Sequence, residues 1–348
     1  MFTKMLVPLD GTSEAMAALA PARTLATATG AVVCLLMAIE SDASGSDHSR
    51  ATADLEVVAQ GLRHAGIDVS TCVRRGAPAA EIIVAAAELQ ADLVVMTTHA
   101  RSGLTRAFLG SVAQHVVAAS PVPVLLLPPG GHPMTRLGVV LVPVDGSLGG
   151  ALALASAVPL ARSTGARVVL LDVVVPFVAY MTTNASGFGD GSLYFDENWD
   201  AEALEAANRY VSGLAARLQH TGIQAEGKAI TGQALHPSMA VAEAIIKTAD
   251  EVDADLIVMS THALTGPARA LLGSVADAVV RNAHRAVLLP RRGAPGDSIE
   301  AHGADRDTVD AMPSLIEGGG EQASDRGDAC TDGERAVRWL THRAVPIL

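Results

Sequence analysis

Two places in this chain end an apolar run on Asp-Gly, and two others open an Ala/Val-rich stretch on Gly-Ser. Asp10-Gly11 closes the run through Pro8 and Leu9, and Asp145-Gly146 closes the run through Pro143 and Val144. Gly110-Ser111-Val112 and Gly273-Ser274-Val275 each begin a stretch with helical character. A helix start offers unpaired backbone N–H groups and the positive end of its dipole, which suits phosphate. A glycine there lets the backbone approach phosphate oxygens closely. An Asp at a strand end can accept hydrogen bonds from a ligand, or simply form a turn or cap a helix. For a single Asp-Gly the turn is the better reading; two copies, each followed by Gly-Ser, favour a binding site.

The segment before each Gly-Ser carries the remaining candidates. It runs from Thr97 through Ala100 and Gly103 in the first case, and from Ser260 through Ala263 and Gly266 in the second. His99 and His262 have no Ser/Asp or Cys partner nearby in sequence, so they are expected to brace the loop. Arg101 and Arg106 are candidates for phosphate contact, with Leu264 and Arg269 at the matching positions.

Enzyme signatures are missing from the sequence. It has no Walker loop, no G-x-G-x-x-G opening, no nucleophile elbow and no H-E-x-x-H or paired cysteines for a metal. Without a Lys, acidic base and Mg-binding Asp set, any ATP hydrolysis is expected to be slow.

These residues recur because the chain is a duplication. The segments at Met5, Ala91 and Leu109 return in the same order at Val140, Ala254 and Leu272. In the first copy, strands are predicted near 4–9, 32–38, 68–74, 92–97 and 123–127. Helices are predicted near 13–29, 49–65, 78–90 and 110–119. Alternation of this kind implies right-handed crossovers and a parallel sheet. Each copy is expected to be an α/β, doubly wound, five-stranded domain. In such sheets ligands bind beyond the strand C-termini, where strand order reverses. The domains are placed at 1–130 and 136–290.

The second copy carries an insertion at 176–199 holding Phe177, Tyr180, Phe188, Tyr194, Phe195 and Trp199. It is expected to cover the second site or the domain interface. A further short run, 234–240, leads into the third helix of that copy. Residues 293–348 read as an acidic, mostly disordered tail whose end, 334–339, could form a short helix.

The net charge of −12 argues against a general nucleic-acid binder. No stretch approaches a membrane span and no signal peptide is evident. Cys34 and Cys72 read as small core residues, and no metal site is expected. A reduced, cytoplasmic setting fits the cysteine usage.

A strand ending in Asp10-Gly11-Thr12-Ser13 or Asp145-Gly146-Ser147, followed by the loop and Gly-Ser, resembles the ATP-binding pattern of the universal stress protein family, over about residues 1–290 in both copies. The family's first two loop glycines are replaced by Thr97 and Ala100, and by Ser260 and Ala263. The resemblance implies the adenine nucleotide alpha-hydrolase-like fold, with strand order 3-2-1-4-5. It implies that Asp10 and Asp145, with Ala38 and Val173 at the end of strand two, hold adenine. Backbone N–H groups at Gly110, Ser111 and Val112, and at Gly273, Ser274 and Val275, would receive phosphate. It also implies pairing of the last strands, inside one chain and in a homodimer, and action through unidentified protein partners. The function implied is a stress-response regulator binding ATP or another adenine nucleotide. The alternatives are a nucleotide-free interaction protein with degenerate sites and a weak ATP-cleaving or adenylating enzyme.

Overall fold

The apolar runs of this chain are rich in Val, Leu and Ile and lack polar alternation, the pattern of strands covered on both faces. The computed structural model describes residues 1–98, 109–176, 179, 199–234, 236–261 and 272–291. In the first copy the strands are β1 (Lys4–Leu9), β2 (Val32–Ile39), β3 (Val69–Arg75), β4 (Leu93–Thr97) and β5 (Val124–Leu127). The helices are α1 (Ser13–Met16), α2 (Leu19–Thr29), α3 (Gly45–His64), α4 (Pro78–Glu88) and α5 (Ser111–Ala119). The second copy repeats this with β6 (Val139–Pro143), β7 (Arg167–Val174), β8 (Ala225–Thr231), β9 (Leu256–Val258) and β10 (Ala286–Leu289). Its helices are α6 (Leu148–Thr164), α7 (Trp199–His220), α8 (Pro237–Glu251) and α9 (Ser274–Asn282).

All ten strands form one sheet in the order β3-β2-β1-β4-β5-β10-β9-β6-β7-β8. Each half is therefore 3-2-1-4-5 and parallel within itself. The halves join through an antiparallel pair, with Leu126 opposite Val287 and Leu125 opposite Leu288. The expected pairing of the last strands thus occurs within the chain, and it covers two apolar edges. Because β10 runs against β5, the strand C-termini of the two copies point to opposite margins of the sheet.

One apolar layer packs beneath α2, α3, α6 and α7, and the other beneath α4, α5, α8 and α9. The first layer also takes in the connection between the copies through Met134 and Leu137, which are 2% and 6% exposed. Thr24 on α2 donates to Met134 O at 2.9 Å, and Asp255 accepts from the N–H groups of Gly138 and Val139. The connection is thus part of the core and holds the copies in one arrangement.

Two helix boundaries differ from expectation, and each has a local cause. The first helix breaks between Met16 and Leu19. Pro21 has no N–H for Ala17 O, and its ring would strike that carbonyl in a continuous helix. α3 starts at Gly45 rather than 49, because Ser44 and Asp47 form a capping box. Of the aromatic insertion, only Pro176, Ala179 and Trp199 fall within the described residues, and the tail beyond Arg291 falls outside them.

Candidate functional site

Prolines open a crevice at the point where strand order reverses. Lys4 O accepts from Asp92 N, so alternate residues of β1, including Pro8, turn their backbone polar groups toward β4. Pro8 has no N–H to offer β4. The β1–β4 pairing runs only over Met5–Leu93 and Leu6–Val94, although β1 continues to Leu9 and β4 to Thr97. The second copy repeats the arrangement. Val139 O accepts from Asp255 N, Pro143 faces β9 in the same way, and the pairing runs over Val140–Leu256 and Leu141–Ile257. On the other flank β1 stays paired with β2 to Leu9–Met37, so the gap lies on one side only. This is the switch-point crevice in which open α/β sheets bind ligands.

Asp10 and Asp145 stand at its lip, and each forms a turn. Asp10 Oδ1 accepts from Thr12 N at 3.0 Å and from Thr12 Oγ1 at 2.6 Å. Thr12 Oγ1 in turn caps α1 by accepting from Ala15 N. Asp145 Oδ1 accepts from Ser147 N at 3.0 Å, and Ser147 Oγ caps α6 through Gly150 N. The modest structural role weighed for these residues is real. Gly11 and Gly146 follow at φ +80° and +75°, a left-handed conformation that makes glycine the fitting residue in each turn.

The opposite lip is the start of α5 and of α9. Gly110 N donates to Thr98 O at 2.7 Å, and Gly273 N donates to Thr261 O at 2.8 Å. Each bond closes the loop that leaves β4 or β9 and pins the helix start to the strand end. It also engages the first of the three N–H groups expected to face phosphate. The N–H groups of Ser111 and Val112, and of Ser274 and Val275, are first-turn amides with no intrahelical acceptor. Gly110 has φ −59° and Gly273 φ −61°, a range open to any residue. Backbone conformation therefore does not call for glycine at either position.

Thr97 ends β4, 9% exposed and opposite Leu127. Among the described residues only Gln90 and Asp253 are non-glycine with positive φ, so Thr97 and Ser260 carry their side chains without backbone strain. Ala38 lies on β2 opposite Arg74, and Val173 on β7 opposite Ile230; both stand at the same margins as the crevices. Ala100, Gly103, Ala263, Gly266, His99, His262, Arg101, Arg106, Leu264 and Arg269 lie outside the described residues. The structure thus brings together Pro8, Leu9, Asp10, Gly11, Ala38, Thr97 and the start of α5, and their second-copy counterparts.

No group of three His, Cys, Asp or Glu among the described residues is placed to hold a metal ion. No helix among them is long and apolar enough to cross a membrane. Burial pushes the Cys34 thiol up from its ordinary range.

A cleft that sequence reasoning missed lies beside the second site. It has a volume of about 320 Å³ and is lined by Gln114, Val117 and Ala118 of α5 and by Leu272, Ser274, Asp277 and Arg281 at α9. No sequence signal marks it, because its walls come from different copies.

The universal stress protein family model matches residues 1–128 and again 137–291. A universal stress protein of Thermus aquaticus is 34% identical over 136 residues, covering 36% of this chain and 99% of its own. One from Synechocystis is 33% identical over 136 residues, covering 37% of this chain and 87% of its own. Among solved structures, a universal stress protein from Archaeoglobus fulgidus superposes with a TM-score of 0.61 at 21% identity, over 83% of this chain and 96% of that one. A Pseudomonas aeruginosa structure described as a putative universal stress protein gives 0.59 at 20% identity, over 90% and 97%. At these identities the structures speak for the fold.

Proposed function

The chain belongs to the universal stress protein family, and from that premise we propose that it is a cytoplasmic stress-response regulator that binds ATP or another adenine nucleotide at each crevice and acts through protein partners. The observation that carries this reading is the pairing of two lips across a gap. On one side stand Asp10 or Asp145 with the strand-end backbone; on the other stand the unpaired N–H groups of Ser111 and Val112, or Ser274 and Val275. Adenine meets the first lip, with Ala38 or Val173 beside it, and phosphate meets the second. Gly110 and Gly273 fit this reading because their φ values do not require glycine. Lack of a side chain there serves close approach of a ligand. Thr97 and Ser260 remain compatible with a ligand, since their backbones are unstrained.

A second reading is favoured by the same two residues. Side chains replace the family's first loop glycine at both sites, as expected if the sites had decayed and the chain served as a nucleotide-free interaction protein. Mass spectrometry of small molecules released from freshly purified, denatured protein, followed by calorimetric titration with ATP, separates the two. Released adenine nucleotide, or a saturable heat of binding, supports the first reading. Neither signal, with the folded state verified, supports the second.

A further inference from the structure

Two features flank the start of α9. On one side lies its own copy's crevice, between β9 and β6, with Asp145 at the lip. On the other side lies β10, and beyond it β5 and α5 of the first copy. The two copies are antiparallel, so the C-terminal half of α5 lies beside the N-terminal half of α9. Arg291 shows the same proximity: it follows β10 and donates to Val117 O and Ala118 O near the end of α5, at 3.4 and 3.2 Å. The cleft of about 320 Å³ lies between α5 and α9, with Ser274 in its lining.

We infer that the second site takes a dinucleotide, with one nucleoside at Asp145, the phosphate bridge over the start of α9, and the other nucleoside in the cleft between α5 and α9. This rests on the nucleotide reading above and deepens it for one site. The chemistry of the walls fits a nucleoside. Val117, Ala118 and Leu272 supply apolar surface for a base. Asp277 offers a carboxylate acceptor for ribose hydroxyls, the role an acidic residue plays in dinucleotide sites generally. Gln114 offers an amide that both donates and accepts. Arg281 Nε donates to Asp277 Oδ2 at 2.7 Å, which offsets the carboxylate charge beside a phosphate bridge. Fixed points on both sides of the phosphate site favour a ligand with two nucleosides over one with a single nucleoside.

The copies have diverged at the positions this requires. Gln114 and Ala118 on α5 match Asp277 and Arg281 on α9 in the repeat. A symmetric pair of identical copies would face Asp against Asp or Gln against Gln; here one wall is charged and the other neutral. An asymmetric cleft suits one ligand in one orientation.

The test is calorimetric titration of the full chain with ATP and with diadenosine tetraphosphate, in the wild type, Asp277→Asn and Ala118→Leu. Asp277→Asn is nearly isosteric, and Ala118→Leu narrows the cleft from the other copy; circular dichroism confirms folding of each. The expected result is that one equivalent of the dinucleotide binds at least tenfold more tightly than ATP, and that each variant removes most of this advantage while leaving ATP affinity within twofold. Equal affinities in the wild type, or variants that weaken both ligands alike, overturn the inference and leave the mononucleotide reading standing. If neither ligand binds, both readings fall.

Discussion

Gly110 donates its backbone N–H to Thr98 O at 2.7 Å, so the residue just past the strand and the residue that caps the helix are fastened to each other. Gly273 and Thr261 repeat the bond in the second copy. The loop between them can vary in sequence while its two ends stay fixed. The amides presented to a ligand are then those one and two residues further on.

Substituting these glycines should cost binding and spare the fold. Their φ of about −60° is open to valine, so Gly110→Val and Gly273→Val are expected to remain folded. A β-branched side chain at the lip crowds the phosphate. Each variant is expected to lose on the order of tenfold or more in nucleotide affinity, about 1.4 kcal/mol, at its own site. Titration with the other site disabled reads this. Unchanged affinity would move the phosphate away from the helix start.

Asp10 and Asp145 each combine a turn with a carboxylate at the lip of the crevice, half-buried at Asp10 and exposed at Asp145, and the two roles are separable. Asp10→Asn keeps an acceptor for Thr12 N and should retain stability; Asp10→Ala should lose about 1 kcal/mol as the turn and its cap loosen. Both should blur the preference for ATP over GTP if the carboxylate reads adenine. Urea denaturation and paired titrations with ATP and GTP distinguish the roles. A full ATP preference in either variant argues against adenine recognition.

Gly11→Ala and Gly146→Ala should destabilise without touching a ligand atom. Both residues hold a left-handed φ, +80° and +75°, and a Cβ at Gly11 would meet no neighbouring atom within 4 Å, so the penalty there is purely conformational. About 1–2 kcal/mol is expected for each. A shift in urea midpoint well under this would mean the turn relaxes to another form.

Acid should weaken the second copy through Asp253. The hydrogen bond from Arg285, then its charge, with help from Arg136 and His132, hold this carboxyl below its usual range. A carboxyl depressed in the folded state contributes fully above its unfolded pKa and loses that contribution as pH falls through the folded value. Arg285→Met should therefore flatten the loss of stability between about pH 5 and about pH 3. Urea midpoints across that range test it; parallel pH profiles for variant and wild type would remove Asp253 as a source.

The acidic segment after Arg292 should be dispensable for folding. Eleven acidic residues against two arginines between Gly293 and Glu334 leave it little apolar surface to bury. Truncation at Gly293 is expected to hold Tm within about 2 °C. A larger fall would mean that the last residues, with Trp339 and Leu340, pack on a domain.

Much of this architecture was legible because the sequence states it twice. The recurrence of Met5 to Gly11 at Val140 to Gly146, and of Ala91 onward at Ala254 onward, placed the central strands and the order of the parts. Pro21 held a legible signal for the break after Met16, and Ser44 with Asp47 held one for the start of α3. Neither reading used it. The engagement of the Gly110 N–H was not legible, because it depends on how far the loop returns toward Thr98. The cleft beside Ser274 was beyond any local pattern. Gln114 and Asp277 lie far apart in sequence and line one cleft only because β5 and β10 pair.

That pairing also settles how the two halves find each other. In a homodimer the join forms between separate molecules and loosens on dilution. Here Leu126 and Val287 belong to one polypeptide, so the join forms by a first-order process and keeps its population at any concentration. Identical subunits must also receive every change twice, once on each side of the axis. A fused pair is free of that constraint: one half can keep an ancestral surface while the other acquires a new one, and a single substitution alters one margin and leaves the other as it was.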